Sequence, residues 1–352
     1  MKMIENTILS ITHIDSNMMA EAQKKLDNLT KPKQSLGKLE DFAIRIAGIT
    51  GNLSPSLKNK TIFIMAGDHG VALEGVSLFP QEVTEQMIYN FLNGGAGANV
   101  LAKHIGARVV VVDIGAAAKI RTDSKNFIDK KIAFGTKNIA IGPAMNRNEA
   151  IKSIEAGIEV FEEESIRGRI DVVGLGEMGI ANTTAASAIT SCITGAAIED
   201  VTGRGTGISD EQLEIKIKVI RKALEINKPK DPVDVLEKLG GFEIGGLGGL
   251  ILAAAGKKIP VVIDGFITAS AALIATEISP LCKEYLFASH NSVEKGHSIA
   301  LKWMGLEPMF DLKMRLGEGT GACLGINIIE AGVKILTEMA TFEDAGVSRE
   351  KK

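Results

Sequence analysis

The sequence predicts an α/β fold in which a parallel, Rossmann-like sheet is covered by helices on both faces. Short apolar runs rich in β-branched residues alternate with longer segments of helical period. The short runs are apolar at nearly every position, which is typical of parallel strands buried on both faces. Glycine is abundant, at 38 of 352 residues, and this suits the many tight turns between strands and helices in such a fold.

The predicted elements are helices first, then strands and helices in alternation. Residues 1–58 are polar and helical in period, with a turn and an amphipathic helix at 31–49. The strands are predicted at 61–67, 108–115, 170–176, 260–265 and 285–290. The intervening helices are predicted at 82–94, 148–165 and 209–227, with a buried helix ahead of the strand at 260–265. A last helix, at about 322–340, is expected to pack on the N-terminal helices.

Composition limits the class of partner and the compartment. The 40 basic and 43 acidic residues give a net charge of −3, unlike a nucleic-acid-binding surface. Cys192, Cys282 and Cys323 are odd in number and show no CxxC spacing, so we expect neither a disulfide framework nor a zinc site. This cysteine usage suits a reducing cytoplasm.

The apolar segments resemble neither a targeting signal nor a membrane span. The N-terminus lacks the basic start and apolar core of a signal peptide. The most apolar stretch, 244–276, is interrupted by Lys257, Lys258, Pro260 and Asp264, whereas a membrane helix needs about 20 largely uninterrupted apolar residues. We expect a soluble cytoplasmic protein with no membrane partner.

Each predicted strand ends in a polar or small residue. These residues are Asp68, His69, Asp113, Glu177, Asp264, Ser289 and His290. In open α/β sheets, ligands bind outside the carboxyl ends of the strands. The site is therefore predicted where these side chains converge.

The segment RLGEGTGACLG, residues 315–325, joins a glycine-rich turn to the last predicted helix. Such a turn presents free backbone N–H groups to an anion. Glu318 places a negative charge in that turn, where it could cap the helix, bind a metal or act as a base. A carboxylate between glycines at a suspected site favours the general base at least as strongly as the helix cap.

Two other segments predict a bound monophosphate. Asn182 and Thr183 stand at a helix start, and the loop at 202–209 supplies open backbone donors with Arg204. Lys216, on the following helix, adds a point charge. No GxxxxGK[ST] sequence is present, and isolated strand-end aspartates supply too few carboxylates for a diphosphate–Mg²⁺ site. We expect no metal and no cofactor.

The sequence GLGEMG, residues 174–179, offers an alternative function. It matches the dinucleotide motif G-x-G-x-x-G, and Glu199 and Asp200 follow at about the distance of a ribose ligand. However, Glu177 stands where the pyrophosphate would approach, and no second strand follows to present the acidic residue. An NAD-dependent oxidoreductase therefore remains the weaker alternative.

The histidines do not predict a metal site. His290 and His297 lie seven residues apart, unlike the three or four residues typical of helical metal pairs. We interpret them, with His69, as polar residues that hydrogen-bond loops near the strand ends.

Eight ordered segments resemble one known family. They are KPKQSLGKLE, AGDHGVALEGVSLFPQEVT, GEMGIANTTAASA, GRGTGI, GGFEIGGLGGLILAAA, VVIDGFITASAAL, SHNSVEKGH and EPMFDLKMRLGEGTGA. Through them the chain, from about residue 30 to 340, resembles the nicotinate-nucleotide–dimethylbenzimidazole phosphoribosyltransferases, the CobT family. The resemblance implies phosphoribosyl transfer from nicotinate mononucleotide to the lower-ligand base of cobalamin-type cofactors, with release of nicotinate.

The resemblance also implies an architecture and site residues. It predicts a dimer with a large α/β domain at 59–321 and a small helical domain built from 1–58 and 322–352. It implies Glu318 as the catalytic base with Glu177 beside it. The predicted phosphate- and ribose-binding residues are Gly176, Asn182, Thr183, Gly203, Lys216, Asp264, Gly265 and Ser292. Those predicted for the base pocket are Ser77, Phe79, Met87, Met178 and Leu316.

The base pocket departs from relatives that use benzimidazole. At the positions of Phe79 and Met87 such relatives can carry a small hydroxyl residue and an amide, whereas both residues are apolar here. A ring nitrogen facing this wall would lose a hydrogen bond, at a cost of about 1–3 kcal/mol, whereas a phenol has no such nitrogen. We therefore hypothesise that phenol or p-cresol is accepted beside 5,6-dimethylbenzimidazole. A heterodimer with a paralogue, and a non-catalytic partner subunit, are further alternatives to a catalytic homodimer.

Overall fold

The structure, a computed structural model, describes residues 1–348. Its centre is a six-stranded sheet with every strand parallel to its neighbours, in the order β3-β2-β1-β4-β5-β6. The strands are β1 (Lys60–Gly67), β2 (Arg108–Gly115), β3 (Phe127–Asp129), β4 (Val172–Met178), β5 (Val261–Ile263) and β6 (Leu286–Ala288). The predicted fold class is confirmed, and β3 is an edge strand that the sequence analysis missed.

Several helices begin at a residue whose side chain caps the first turn. They are α1 (Lys2–Ser10), α2 (Ser16–Asp27), α3 (Lys38–Thr50), α4 (Glu82–Leu92), α5 (Gly97–His104), α6 (Arg147–Arg167), α7 (Asn182–Thr194), α8 (Ile198–Val201), α9 (Asp210–Asn227), α10 (Pro232–Leu239), α11 (Phe242–Gly256), α12 (Phe266–Ile278), α13 (Lys295–Met304) and α14 (Thr320–Glu338). Asn146 caps α6 and Ser209 caps α9, and in both helices the residue three positions later bonds back to the cap. Gly70–Glu74 and Pro280–Tyr285 form short 3-10 helices.

Both faces of the sheet are covered, so the central strands lie in the core. Every residue of β1 is buried, and α11 and α12 are buried along nearly their whole length. Helix α11 lies close against α6 because glycines stand at the crossing: a Cβ at Gly249 would collide with the carbonyl oxygen of Ile154. The apolar composition of 242–278 therefore reflects burial inside the domain.

The two chain ends pack together. Leu26 of α2, Ala43 of α3 and Leu336 of α14 share a hydrophobic cluster separate from the main core. The first half of α14, including Cys323 and Ile326, belongs to the main core instead. The domain boundaries stay a prediction, and α14 contributes to both clusters.

One helix in the described part of the chain, Thr320–Glu338, is long and apolar enough by length and composition to cross a membrane. Just over half of that window, 56%, is buried inside the fold. The helix packs on α3, α5 and β4, as a core helix does.

The strand order fixes the place where a ligand can bind. The order 3-2-1-4-5-6 reverses direction between β1 and β4. Helices therefore leave these two strands toward opposite faces, and a crevice opens at their carboxyl ends.

Candidate active site

A cavity of about 500 Å³ opens at the carboxyl ends of the strands. The end of β4, the start of α7, the loops after β5 and β6 and the turn before α14 form its wall. Six predicted catalytic or phosphate- and ribose-binding residues line it: Glu177, Asn182, Thr183, Gly265, Ser292 and Glu318. Three predicted base-pocket residues also line it: Phe79, Met178 and Leu316.

Glu318 is held in an unusual turn ahead of α14. Gly317, Glu318 and Gly319 have φ values of +81°, +63° and +91°, so three successive residues are left-handed and one of them carries a side chain. Glu318 is 8% exposed, and its Oε2 has no hydrogen-bond partner among the described residues. Burial, and then the nearby charge of Asp264, raise the pKa of Glu318 to about 7. Such a carboxyl group can accept a proton near neutral pH.

Asp264 supports this turn, and its predicted substrate-binding role stays a prediction. Its side chain is fully buried and accepts backbone N–H bonds from Gly319 at 3.0 Å, Gly321 at 2.6 Å and Ala322 at 3.1 Å. Burial raises its pKa, while His290 and these N–H groups oppose the shift. The carboxylate is occupied by the N-terminus of α14, so only its neighbour Gly265 reaches the cavity.

Glu177 stands beside Glu318 at the end of β4. Its carboxylate accepts a hydrogen bond from the Asn182 side chain, and a Cβ at Gly317 would lie 2.6 Å from its Oε1. Burial, followed by the charges of Asp264 and Glu243, raises the pKa of Glu177 to about 8. Two buried carboxyl groups therefore share one end of the cavity, where they would stabilise a cation.

A buried cation lies behind a different part of the cavity wall, at Thr183. Lys216 of α9 is fully buried, and its Nζ donates to Thr183 Oγ1 at 2.7 Å directly behind the wall. Burial lowers the pKa of Lys216 to about 8, and the nearby Glu294 opposes that shift. Thr183 is the second residue of α7, so its side chain stands in the first turn of that helix, where negative charge is favoured. This arrangement suits a phosphate group.

Three residues of the predicted phosphate site act indirectly. Gly176 packs against the turn that carries Glu318, since a Cβ at Gly176 would collide with the Glu318 carbonyl oxygen. Gly203 packs against the Glu294 carboxylate. Arg204 donates to Asp210 and to Ile208 within its own segment, so it does not line the cavity. Gly176 and Gly203 are thus not among the residues that line the cavity, and their predicted contacts with substrate stay predictions.

Two residues predicted for the base pocket do not line it. Met87 is half-buried on α4 and packs against the main core, and its Sδ accepts from the side chain of Asn90. Ser77 is half-buried, and its Oγ accepts from the backbone of Phe79.

A buried contact between His69 and Glu243, not predicted from the sequence, lies close behind Gly179 of the cavity wall. His69 Nε2 lies 2.6 Å from Glu243 Oε1, and both side chains are buried. Burial is the largest single influence and lowers the pKa of His69, but the charge and hydrogen bond of Glu243 together with the charge of Asp68 outweigh it, and the net shift is upward. Glu243 was a lone charge opening an apolar helix in the sequence, and that isolation was the available signal.

The sequence alternatives gain no support from the geometry. Helix α7 leads to α8 and α9 rather than to a second strand, and Glu199 forms a surface ion pair with Arg221. Over residues 1–348, no three His, Cys, Asp or Glu side chains are grouped to hold a metal ion.

Comparisons with known proteins agree over the whole chain. A family model described as phosphoribosyltransferase matches residues 11–347. The chain is 54% identical over 353 residues to the nicotinate-nucleotide–dimethylbenzimidazole phosphoribosyltransferase of Desulforudis audaxviator, covering 100% of this chain and 99% of the relative. It is likewise 54% identical over 351 residues to the protein of that name from Geobacter metallireducens, with 99% of each covered. The crystal structure of CobT from Thermus thermophilus matches with a TM-score of 0.91 and 40% identity, over 95% of this chain and 100% of that one.

Proposed function

The chain belongs to the nicotinate-nucleotide–dimethylbenzimidazole phosphoribosyltransferase (CobT) family, and on that premise we propose that it transfers the phosphoribosyl group of nicotinate mononucleotide to 5,6-dimethylbenzimidazole. The products are nicotinate and the α-riboside 5′-phosphate used in assembling the nucleotide loop of cobamides. The assignment of Glu318 as the general base rests on one observation: its side chain presents a buried carboxylate oxygen, without a partner among the described residues, at the cavity wall.

The charges at the two ends of the cavity set the substrate's direction. The 5′-phosphate lies on the side of Lys216, because this buried ammonium group attracts an anion and its Nζ bonds to Thr183 at the cavity wall. The cationic pyridinium then lies toward Glu177 and Glu318, whose raised pKa values fall when a positive charge approaches. Phe79, Met178 and Leu316 supply apolar surface for an aromatic ring.

The reaction exchanges one bond at C1′ for another. The incoming base bonds to C1′ on the face opposite the leaving group, and the C1′–nitrogen bond breaks with its electron pair going to the pyridine nitrogen. Nicotinate thus leaves without needing a proton. The proton displaced from the incoming base passes to Glu318, and Glu177 stabilises the positive charge that develops on the ribose.

The first experiment tests the assignment of Glu318 as the general base. Purified wild-type protein with nicotinate mononucleotide and 5,6-dimethylbenzimidazole yields the α-riboside 5′-phosphate, resolved by mass. Glu318→Gln lowers kcat by at least about 10²-fold, within the range expected for general-base catalysis. Its Kd for the mononucleotide stays within about threefold of wild type. Glu318→Gln with wild-type turnover would contradict the assignment.

The same samples separate the alternative functions. A dinucleotide-dependent oxidoreductase is stabilised against heat by NAD, whereas the proposed transferase is stabilised by the mononucleotide and not by NAD. A non-catalytic subunit shows no turnover with any base, even when the mononucleotide binds.

A second proposal concerns the acceptor: phenol and p-cresol are also substrates. Phe79 and Met178 line the cavity with apolar surface, and methionine adapts readily to a flat ring. Met87, the third residue behind this hypothesis, does not line it. Each base is offered in turn with excess mononucleotide, and products are resolved by mass. No product with either phenol, beside product with dimethylbenzimidazole, would end this proposal and leave the transferase assignment intact.

A further inference from the structure

His290, two residues after the end of β6, is a cavity residue to which the proposed mechanism gives no task. Its side chain is 1% exposed and lines the cavity. Neither Nδ1 nor Nε2 has a hydrogen-bond partner among the described residues. Buried polar groups are nearly always hydrogen-bonded, so two orphaned nitrogens beside a binding cavity point to a ligand.

The ring is fixed in this position. It stacks on Phe310, with centroids 6.0 Å apart and planes at 22°. The absence of a side chain at Gly321 makes room for it, since a Cβ there would collide with Cδ2 of the ring. The site is therefore built before any ligand arrives, which lowers the cost of binding.

Asp264 does not satisfy the ring. Its Oδ1 lies 3.7 Å from His290 Nε2, beyond hydrogen-bond distance, and it already accepts from the backbone of Gly321 and Ala322. The imidazole thus keeps its full hydrogen-bonding capacity.

The position of the ring selects the part of the substrate that it meets. The ring of His297 lies 5.9 Å from that of His290, and its Nδ1 accepts the N–H of Ser292, a predicted phosphate contact. Asp264, whose Oδ1 lies 3.7 Å from Nε2 of His290, holds the turn bearing Glu318. His290 is therefore close both to the predicted phosphate contact and to the turn with Glu318, and the ribose is the part of the substrate that joins the groups expected there.

We propose that His290 is a further substrate-binding residue that hydrogen-bonds a ribose hydroxyl group of the mononucleotide. This inference rests on the proposed function. The contact is a hydrogen bond only, because the departing nicotinate takes no proton and no bond to hydrogen needs to break at this position.

A comparison of variants and substrate analogues tests the contact. The Kd of nicotinate mononucleotide and of its 2′-deoxy and 3′-deoxy analogues is measured by calorimetry without acceptor base. In wild type, removal of the contacted hydroxyl weakens binding about tenfold, the loss expected for one hydrogen bond. In His290→Phe, which keeps a flat ring on Phe310, the same removal changes Kd by less than about twofold. An equal ratio in wild type and His290→Phe, for both analogues, would overturn the proposal.

Controls separate this outcome from other failures. His104→Phe changes an exposed histidine at the end of α5 and should keep the wild-type ratio. His290→Leu also removes both nitrogens, so the ratio is read from whichever variant melts within a few degrees of wild type. Wild-type turnover with 5,6-dimethylbenzimidazole is measured on the same samples. Turnover together with an unchanged ratio rejects the role of His290 alone, whereas absence of turnover rejects the proposed function.

Discussion

Glu318 shows at the scale of single residues how a strained backbone is maintained. A non-glycine residue at φ +63° costs on the order of 1–3 kcal/mol and persists only where its surroundings enforce it. Three backbone N–H groups donate hydrogen bonds to Asp264, and these bonds hold the turn in that conformation. We infer that Asp264 positions the base and that its charge contributes to the pKa of about 7.

The first prediction concerns the dependence of rate on pH. Because Glu318 must be ionised to accept a proton, kcat/KM in wild type falls as the pH drops through about 7. Asp264→Asn removes a charge that raises the pKa of Glu318, so the acid limb moves to lower pH while the plateau also falls. Full pH profiles of both proteins check this.

The matched control is Asp113→Asn at the end of β2. Asp113 is also a buried strand-end aspartate, but it pairs with Lys131 and accepts the N–H of Ala116. In the Asp113→Asn variant, the fall of kcat/KM at low pH should coincide with that of wild type. An unmoved limb in Asp264→Asn would reduce Asp264 to a structural role.

The second prediction concerns the buried ammonium of Lys216. With a pKa lowered to about 8, it costs the folded state stability wherever it is charged, and that cost disappears as the pH rises from about 8 toward 10.5. Lys216→Met removes the cost, so at pH 7 the free protein melts no lower than wild type. Nicotinate mononucleotide raises the melting temperature of wild type and leaves that of the variant unchanged. A full ligand-induced shift in the variant would contradict the phosphate site.

At the scale of secondary-structure elements, strand β4 packs against the turn that carries Glu318. We predict that Gly176→Ala lowers kcat by about 10²-fold, because its Cβ displaces the Glu318 carbonyl and misplaces the base. Gly142→Ala is the control, since a Cβ there meets nothing within 4 Å. Steady-state rates and circular dichroism of both variants check it. Wild-type kcat in a folded Gly176→Ala protein would contradict the packing role.

Elements with a strong period were predictable, and short or polar ends were not. The strand at 61–67 and the helix at 209–227 match β1 and α9 to within one residue at each end. Strand β3 was missed because three residues at an edge carry no period. Strand β4 continues to Met178, beyond the predicted end at residue 176. The polar Glu177 suggested that the strand ends there, but this residue pairs with Met65 of β1.

The site was predictable where the chemistry lies next to a motif and unpredictable where it depends on orientation. Glu318, Thr183 and Ser292 line the cavity as predicted. The backbone partners of Asp264 were not predictable, because a strand-end carboxylate points equally well to a ligand or to a helix N-terminus. The partners that decide this lie more than fifty residues away, at 319–322.

The last prediction concerns the whole molecule. Family membership predicts a dimer, and light scattering after size exclusion should give about twice 37.3 kDa for the protein expressed alone. A single-chain mass with full activity would contradict the dimer. A single-chain mass that doubles only on adding a paralogous chain would favour the heterodimer.

The order of the chain also bears on synthesis. The fold needs α14 to join the N-terminal helices, and the turn carrying Glu318 comes immediately before that helix. A nascent polypeptide still lacking its final tenth has the strands and the lysine in place but no proton acceptor. We therefore expect turnover only after α14 has been synthesised, because a chain that ends ahead of Glu318 lacks both the proposed base and the helix that positions it.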